Sequence, residues 1–415
     1  MRLEDAKQIE RLQVYKGNLL AGSLSRTQKG CVFEYEQSYI AITNKGIAFH
    51  LSSDSMTYTN FGDSLPPFFA GLLPEGLRLK ALVKGIKTSE DDLFSILAMV
   101  GSECIGDVNV MANGHLEKSL SEHPLDFTLD LKNADLYQLF KHSIEDENYN
   151  PLNQALSGVQ EKISASMISF PLPHMQKDKF YIVKLNPIDK PALIDNEHAC
   201  LALARKCGMK VNNTKIIKDK HGQRGLLVER FDRYLKKQQS DTEEHSVCMH
   251  HQEDACQFLN RYPADKYRLS YKDVLAGIAK YSTAPKIEIL KALQLYAFSY
   301  LIGNGDLHAK NISIQTLATS GKTVLTPCYD IISTYIYGDY KMALKLNGRD
   351  DNIKRKDIVS IAASFSIPEA AVSLMLDKLI KACKTHHAML FGFMSEKQKA
   401  LWIKMFSKRL NDLTL

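Results

Sequence analysis

The stretch IEILKALQLYAFSYLIG, residues 287–303, is apolar nearly all the way round a helical wheel. A helix with no polar face must lie inside a core, so any fold of this chain has to wrap other layers around it. It stops at Gly303-Asn304-Gly305, and the next residues place Asp306, His308, Lys310 and Asn311 close together in GNGDLHAKN. Asp306 is therefore expected at the mouth of a rigid core. The chain has 415 residues, too many for one ordinary core, so two or three domains are expected. Its apolar runs are interrupted well before about 18 residues, which argues against a membrane span.

The texture of the chain divides it further. Residues 11–50 alternate apolar and polar, with Gly17-Asn18 and Lys29-Gly30 as turn signals, so VFEY and YIAIT read as antiparallel strands. In SLPPFFAGLLPEGLRLKAL, Pro74 is expected to open a helix, and DDLFSILAMVG reads as a second one. We place a β-rich N-terminal subdomain over 1–115, a linker region over 116–150, a small lobe over 151–250 and a helical lobe over 251–415. KISASMISF, KFYIVKLN, KIIKDK and GLLVERF read as strands of a small mixed sheet, and NEHACLALARKCG as a helix capped by Asn196 and Gly208. KKQQSDTEEHSV reads as a polar surface loop. Further helices are expected in IPEAAVSLMLDKLIKAC and SEKQKALWIKMFSKRL, the latter with Ser395 and Gln398 spaced as a capping box.

The spacing from Asp306 to Asn311 is D-x-x-x-x-N, as in the catalytic loop of protein kinases. NISIQ and TVLTP then alternate like a hairpin, which would return Asp330 of CYDIIST to the neighbourhood of Asn311. Two carboxylates and an amide oxygen suit Mg²⁺, with one carboxylate left to accept a hydroxyl proton. The bland reading of each residue is a loop or cap residue. Upstream, LSGVQEKISA has one glycine with which to curl over phosphates, Lys184 ends an apolar strand, and LLVERFDRY runs from a strand into charge.

Together FFAGLLPEG, SGVQEK, YIVKLNP, NEHACLALA, LLVERFDR, HQEDACQFL, GNGDLHAKN and YDIIST closely resemble the HipA family of serine/threonine kinases, the toxin subunits of bacterial toxin–antitoxin modules. The stretches occur in family order and span roughly residues 10–385. The resemblance implies an α+β, protein-kinase-like two-lobed fold with a β-rich N-terminal subdomain and an all-helical C-terminal lobe. It implies Asp306 as catalytic base and Asn311 and Asp330 as Mg²⁺ ligands. Lys184 would pair with ATP phosphates, with His308 and Lys310 on the phosphate side. Glu229, Arg230 and Phe231 would form the adenine hinge, and Ser157, Gly158, Val159, Gln160, Glu161 and Lys162 the loop over the phosphates. Glu197 either orients Lys184, as a helix glutamate does in protein kinases, or makes a structural salt bridge.

The implied function is transfer of the ATP γ-phosphoryl group to a hydroxyl of a protein substrate, with translation components such as aminoacyl-tRNA synthetases as the family's targets. The implied partner is a small helix-turn-helix antitoxin, through which the chain would meet operator DNA indirectly. The alternatives are a catalytically silent co-repressor and a lipid or small-molecule kinase. A complete set of chemical residues argues against the first, and HQED with the N-terminal subdomain against the second.

The net charge of +6 permits a nucleic-acid or acidic-protein partner without demanding one. Eight cysteines without a CxxC pair in so long a chain point to reduced thiols, and with the charged N-terminus MRLEDAKQIE to a cytoplasmic protein. Cys200 and Cys207 read as core residues. Cys248, His250, His251 and Cys256 in CMHHQEDAC fit no standard zinc spacing. His386-His387 reads as a solvated helix end, and the KRK of 354–356 as an exposed basic turn.

Many HipA relatives autophosphorylate a serine three residues before the loop glycine. Here Ala155 holds that position, and Ser157 directly precedes Gly158. A phosphate on Ser157, roughly −1.5 to −2 in charge, should compete for Lys162 and Lys184 and lower ATP affinity. Peptide mass spectrometry of active protein and of Asp306→Asn tests this. Phosphate on Ser157 in the active form alone supports autoregulation, whereas an unmodified Ser157 after long incubation with Mg²⁺-ATP leaves it a turn residue.

Overall fold

Five antiparallel strands open the chain: β1 (Arg11–Lys16), β2 (Leu19–Thr27), β3 (Gly30–Tyr35), β4 (Thr57–Phe61) and β5 (Val108–Met111), ordered β4-β3-β2-β1-β5. The computed structural model describes residues 3–62, 64–112, 133–143, 167–172, 179–187, 190, 192–237 and 245–415. The expected phosphate loop, Ser157 to Lys162, and Ala155 lie outside them. YIAIT is not a strand, since Gln37–Thr43 is a helix, α1, ended by Asn44 at φ 47°. The helices α2 (Pro67–Gly71), α3 (Gly76–Ile86) and α4 (Leu93–Val100) complete this subdomain. Pro67 rather than Pro74 sits in a first turn, where its missing N–H costs nothing.

After α5 (Leu136–Ser143) come β6 (Ile168–Pro171), β7 (Tyr181–Leu185), the helix α6 (Leu193–Lys206), β8 (Thr214–Lys218) and β9 (Arg224–Glu229). The sheet is ordered β6-β7-β9-β8, and every pairing is antiparallel, so it is not mixed. A second hairpin joins β10 (Arg233–Lys237) to β11 (His245–Met249). Asn196 does not cap α6. It lies inside the helix, where its Nδ2 donates to Ser333 O at 3.0 Å and its Oδ1 accepts the Ser333 N–H at 2.8 Å.

The C-terminal lobe is mainly, not wholly, helical. HQED is a strand, β12 (His251–Asp254), followed by the short helix α7 (Ala255–Phe258), α8 (Tyr271–Tyr281) and α9 (Pro285–Ile302). The hairpin β13 (Ser313–Thr316) and β14 (Thr323–Leu325) pairs with β12, and Ser313, Ile314 and Gln315 are all buried, so the strand is covered on both faces. Then come α10 (Arg355–Ala363), α11 (Glu369–His386) and α12 (Glu396–Thr414), the last with the expected Ser395–Gln398 capping box. His387 is no solvated end: its ring stacks 5.1 Å from Phe406. KRK is also engaged, with Lys354 paired to Asp412 and Arg355 bonded to Asp377 at 2.8 Å.

Two large cores result. One fills the helical lobe around α9 and includes Cys200, Leu203 and Cys207 of α6. The other joins the N-terminal subdomain to the small-lobe sheet, including Val183 and Leu185 of β7. The seam between them is polar. His251 presents Nδ1 to Asp107 and Nε2 to Glu253, both at 2.9 Å, while Lys16 Nζ lies 3.1 Å from its Nδ1. Glu253 Oε1 also accepts the Phe49 N–H at 2.7 Å, and Gln257 Nε2 donates to Phe68 O at 2.9 Å. The Cys248–Cys256 segment is thus a docking strap, and among the described residues no His/Cys/Asp/Glu group is arranged to hold a metal ion.

Burial and Lys16 push the His251 imidazolium down, but Asp107 and Glu253 outweigh them, and its pKa is raised from 6.5. A raised folded value stabilises the protein fully below 6.5 and is lost as pH climbs through that folded value. Melts of the native chain and of His251→Gln across neutral pH should diverge by at most about 1.4 kcal/mol per pH unit, the native chain losing stability faster as pH rises. Parallel curves would remove His251 from the seam's electrostatics.

Candidate active site

The buried end of α9 shapes the site. A helix terminus leaves carbonyls without intrahelical partners, and inside a core each needs another donor. Here Trp402 Nε1 and Ser333 Oγ donate to Ile302 O at 3.0 and 2.7 Å, and Arg409 Nη1 donates to Tyr300 O at 2.8 Å. Gly303 ends the helix at φ 75°, and a Cβ there would stand 2.7 Å from Tyr335 Cβ. At Gly305 a Cβ would stand 2.5 Å from the Lys341 carbonyl oxygen. Both glycines are therefore required by close approach. Asn304 Oδ1 accepts the Asp306 N–H at 2.9 Å, which fixes the start of the loop.

Asp306 is fully buried. Tyr267 donates its hydroxyl to Asp306 Oδ1 at 3.0 Å, and Asn311 Nδ2 donates to the Asp306 carbonyl at 2.8 Å. That bond orients the Asn311 amide and leaves Oδ1 as the atom it can offer a ligand. His308 is buried beside it, with Nδ1 lacking a hydrogen-bond partner among the described residues. Burial pushes its imidazolium down, only partly opposed by Asp306.

Lys184 of β7 lies deep between the cores. Its Nζ donates to both oxygens of Glu197 on α6, at 2.7 and 2.8 Å, and pairs with Asp330. Burial alone would push the ammonium down, but Asp330 and Glu197 hold it above the usual lysine range. Burial pushes the Glu197 carboxyl up, and Lys184 offsets this only in part. Asp330 is partly exposed and sits in the left-handed region at φ 53°, which costs about 1 kcal/mol.

A cleft of about 290 Å³ is lined by His308, Lys310, Asn311, Asp330, Arg230 and Glu75, among others. A smaller cavity of about 70 Å³ adjoins it at Asp330 and contains Lys184 and Glu197. Lys184, Asp330 and the loop residues His308, Lys310 and Asn311 thus converge, whereas Asp306 is not among the residues that line either cavity. Lys310 lines the larger cleft and is also tied to the N-terminal subdomain: Nζ donates to Gly71 O at 2.9 Å and lies 3.4 Å from Asp254 and 3.8 Å from Glu75. Glu75 also pairs with Lys266 at 2.6 Å, and although burial pushes its carboxyl up, Lys310 and Lys266 bring it down to about 2.

At the hinge, the Glu229 N–H donates to Asn213 O at 2.9 Å and the Arg230 N–H to Phe180 O at 2.8 Å. The Arg230 side chain pairs with Asp232 at 2.6 Å. Phe231 lies 5.8 Å from the Tyr329 ring. Glu229 and Arg230 thus spend their N–H groups internally, which leaves their carbonyls and the Phe231 backbone to meet an adenine edge.

A model of the HipA-like C-terminal domain matches residues 154–387, and one of the HipA N-terminal domain matches residues 12–111. The chain belongs to the HipA family. The serine/threonine-protein kinase toxin HipA of Shewanella oneidensis is 26% identical over 81% of this chain and 78% of its own length. The protein Y4dM of Sinorhizobium fredii is 30% identical over 74% of this chain and 73% of its own. A chain of the Shewanella oneidensis complex of HipA, HipB and operator DNA shares the fold, with a TM-score of 0.70 at 19% identity, covering 97% of this chain and 96% of that one. This HipA-family chain therefore has the α+β kinase-like fold. Two participants, Glu75 and Tyr267, were missed by sequence reasoning. Glu75 lies in FFAGLLPEG, which marks the family but not the contact, and Tyr267 in RYPADKYRLS carries no signal at all.

Proposed function

We propose that this chain is an ATP-dependent serine/threonine-protein kinase of the HipA toxin type. The observation that carries the reading is the buried Lys184, held by Glu197 and Asp330 beside the Asp306–Asn311 loop. A structural ion pair alone has no need of a second, partly exposed carboxylate on a strained backbone, nor of a neighbouring buried aspartate oriented by a phenol. The relative from Shewanella oneidensis bears the name of such a kinase toxin, which supports the same reading.

In this reading Lys184 exchanges Asp330 for phosphate oxygens of ATP, and Phe231 receives the adenine edge. Asn311 Oδ1 and Asp330 are a hard oxygen pair at the cleft and fit Mg²⁺, which when bound supplies charge neutralisation at the phosphates. Asp306 accepts the proton of a serine or threonine hydroxyl. The hydroxyl oxygen bonds to the γ-phosphorus as the bond to the β–γ bridging oxygen breaks, releasing ADP. Positioning and charge stabilisation are most of what phosphoryl transfer asks of a protein. The protein substrate is a translation component such as an aminoacyl-tRNA synthetase. The regulator is a helix-turn-helix antitoxin that brings the chain to operator DNA. Lys354 and Arg355, at the start of α10, are tied to Asp412 and Asp377, which favours contact with DNA through the partner. Among the described residues no helix is long and apolar enough to cross a membrane.

Labelled ATP with host lysate tests the proposal. Asp306→Asn should lower protein labelling by at least about 100-fold, the scale of a lost general base, while nucleotide binding stays nearly native. Labelling at the native rate would exclude Asp306 as the base. Asp330→Ala should weaken ATP binding with Mg²⁺ and not without it. Calorimetry showing an unchanged Mg²⁺ dependence would take Asp330 out of the metal site.

A further inference from the structure

Tyr267 lies in the short connection between Pro263–Asp265 and α8, and the connection is tied to the Asp306 loop at several points. The Ala309 N–H donates to the Lys266 carbonyl at 3.1 Å. Lys266 Nζ pairs with Glu75 of the N-terminal subdomain at 2.6 Å. The Tyr267 ring stands edge-on to His308, with centroids 5.1 Å apart. Its hydroxyl then reaches Asp306 Oδ1 at 3.0 Å. Backbone, ion pair and ring contact thus aim one phenol at one oxygen of a buried carboxylate.

We propose that Tyr267 is a positioning residue of the phosphoryl-transfer site: its hydroxyl fixes the rotation of the Asp306 carboxylate, so that the carboxylate meets the acceptor hydroxyl in one orientation. The inference rests on the reading of Asp306 as the base. A carboxylate on a glycine-bracketed loop can turn about its terminal torsion, which has a broad well. One held oxygen removes that freedom. The phenol is suited to the task. Burial and the adjacent Asp306 push its pKa up, so the hydroxyl stays protonated and donates to the carboxylate. It sits beside the reacting centre without replacing either metal-ligand candidate. Through Lys266 and Glu75, the same connection makes the N-terminal subdomain part of what holds the base in place.

Steady-state ATP hydrolysis, with water in place of the protein hydroxyl, tests this without a known acceptor. Rates are taken per nucleotide-binding site, so that unfolded protein does not count. Tyr267→Phe keeps the ring and its contact with His308 but removes the donor. Its kcat should fall about 10- to 100-fold, with KM for ATP within about twofold of native, because only the base is misaligned. In an Asp306→Asn background the same change should cost nothing further, since the group it orients is gone. Native kcat in Tyr267→Phe overturns the proposal. So does an equal loss in the Asp306→Asn background, or a loss carried entirely by KM. Native turnover in Asp306→Asn alone is a separate result that removes the base assignment itself.

Discussion

Ser333 is the point on which the site's geometry hangs. Its hydroxyl donates to the last carbonyl of the buried helix, Ile302, and accepts from Trp402. Its backbone N–H and carbonyl are both taken by the Asn196 amide, two bonds that pin α6 to the loop following Asp330. One fully buried serine therefore ties together the helix that ends just before the Asp306 loop, the turn that carries Asp330 and the helix that carries Glu197. Each bond contributes only about 1 kcal/mol net, but leaving its buried partner unsatisfied would cost about 1–3 kcal/mol. That asymmetry makes the junction specific.

The charges are distributed over two cores that do not merge. Lys184 is anchored among residues of the N-terminal and small-lobe core, whereas α6 buries Cys200 and Leu203 in the helical lobe's core. Their ion pair spans the seam. A buried pair repays its desolvation only when its remaining hydrogen bonds are satisfied, and here Lys184 has three carboxylate oxygens around it. Of the two carboxylates, Asp330 is the partly exposed member and Glu197 the buried one.

The N-terminal subdomain is more than an attachment. Glu75, Gly71 and Phe68 all bond to residues within or beside the Asp306–Asn311 loop and the HQED strand. Lys310, which the resemblance places on the phosphate side, also holds this joint. The physical reason is distance: Asp254 and Glu75 lie within ion-pair reach of its ammonium and keep its pKa raised despite burial.

Much was legible in the chain itself. The all-round apolarity of 287–303 required a buried helix, the alternation in NISIQ and TVLTP required a hairpin, and GNGD required a tight break with an aspartate beyond it. Those are local rules of period, capping and steric freedom, and they act within a few residues. Asn196 was misread because its small amide is as good for a helix cap as for a buried cross-link, and only the approach of Ser333 chooses between them. The tie of Lys310 to Gly71 and the aim of Tyr267 at Asp306 depend on partners 239 and 39 residues away. Sequence thus determined which segments must be buried, broken or paired and which residue types could carry the chemistry. Tertiary structure decided which partner each polar group received, because hydrogen bonds and ion pairs act over a few ångströms of space, whatever the distance along the chain.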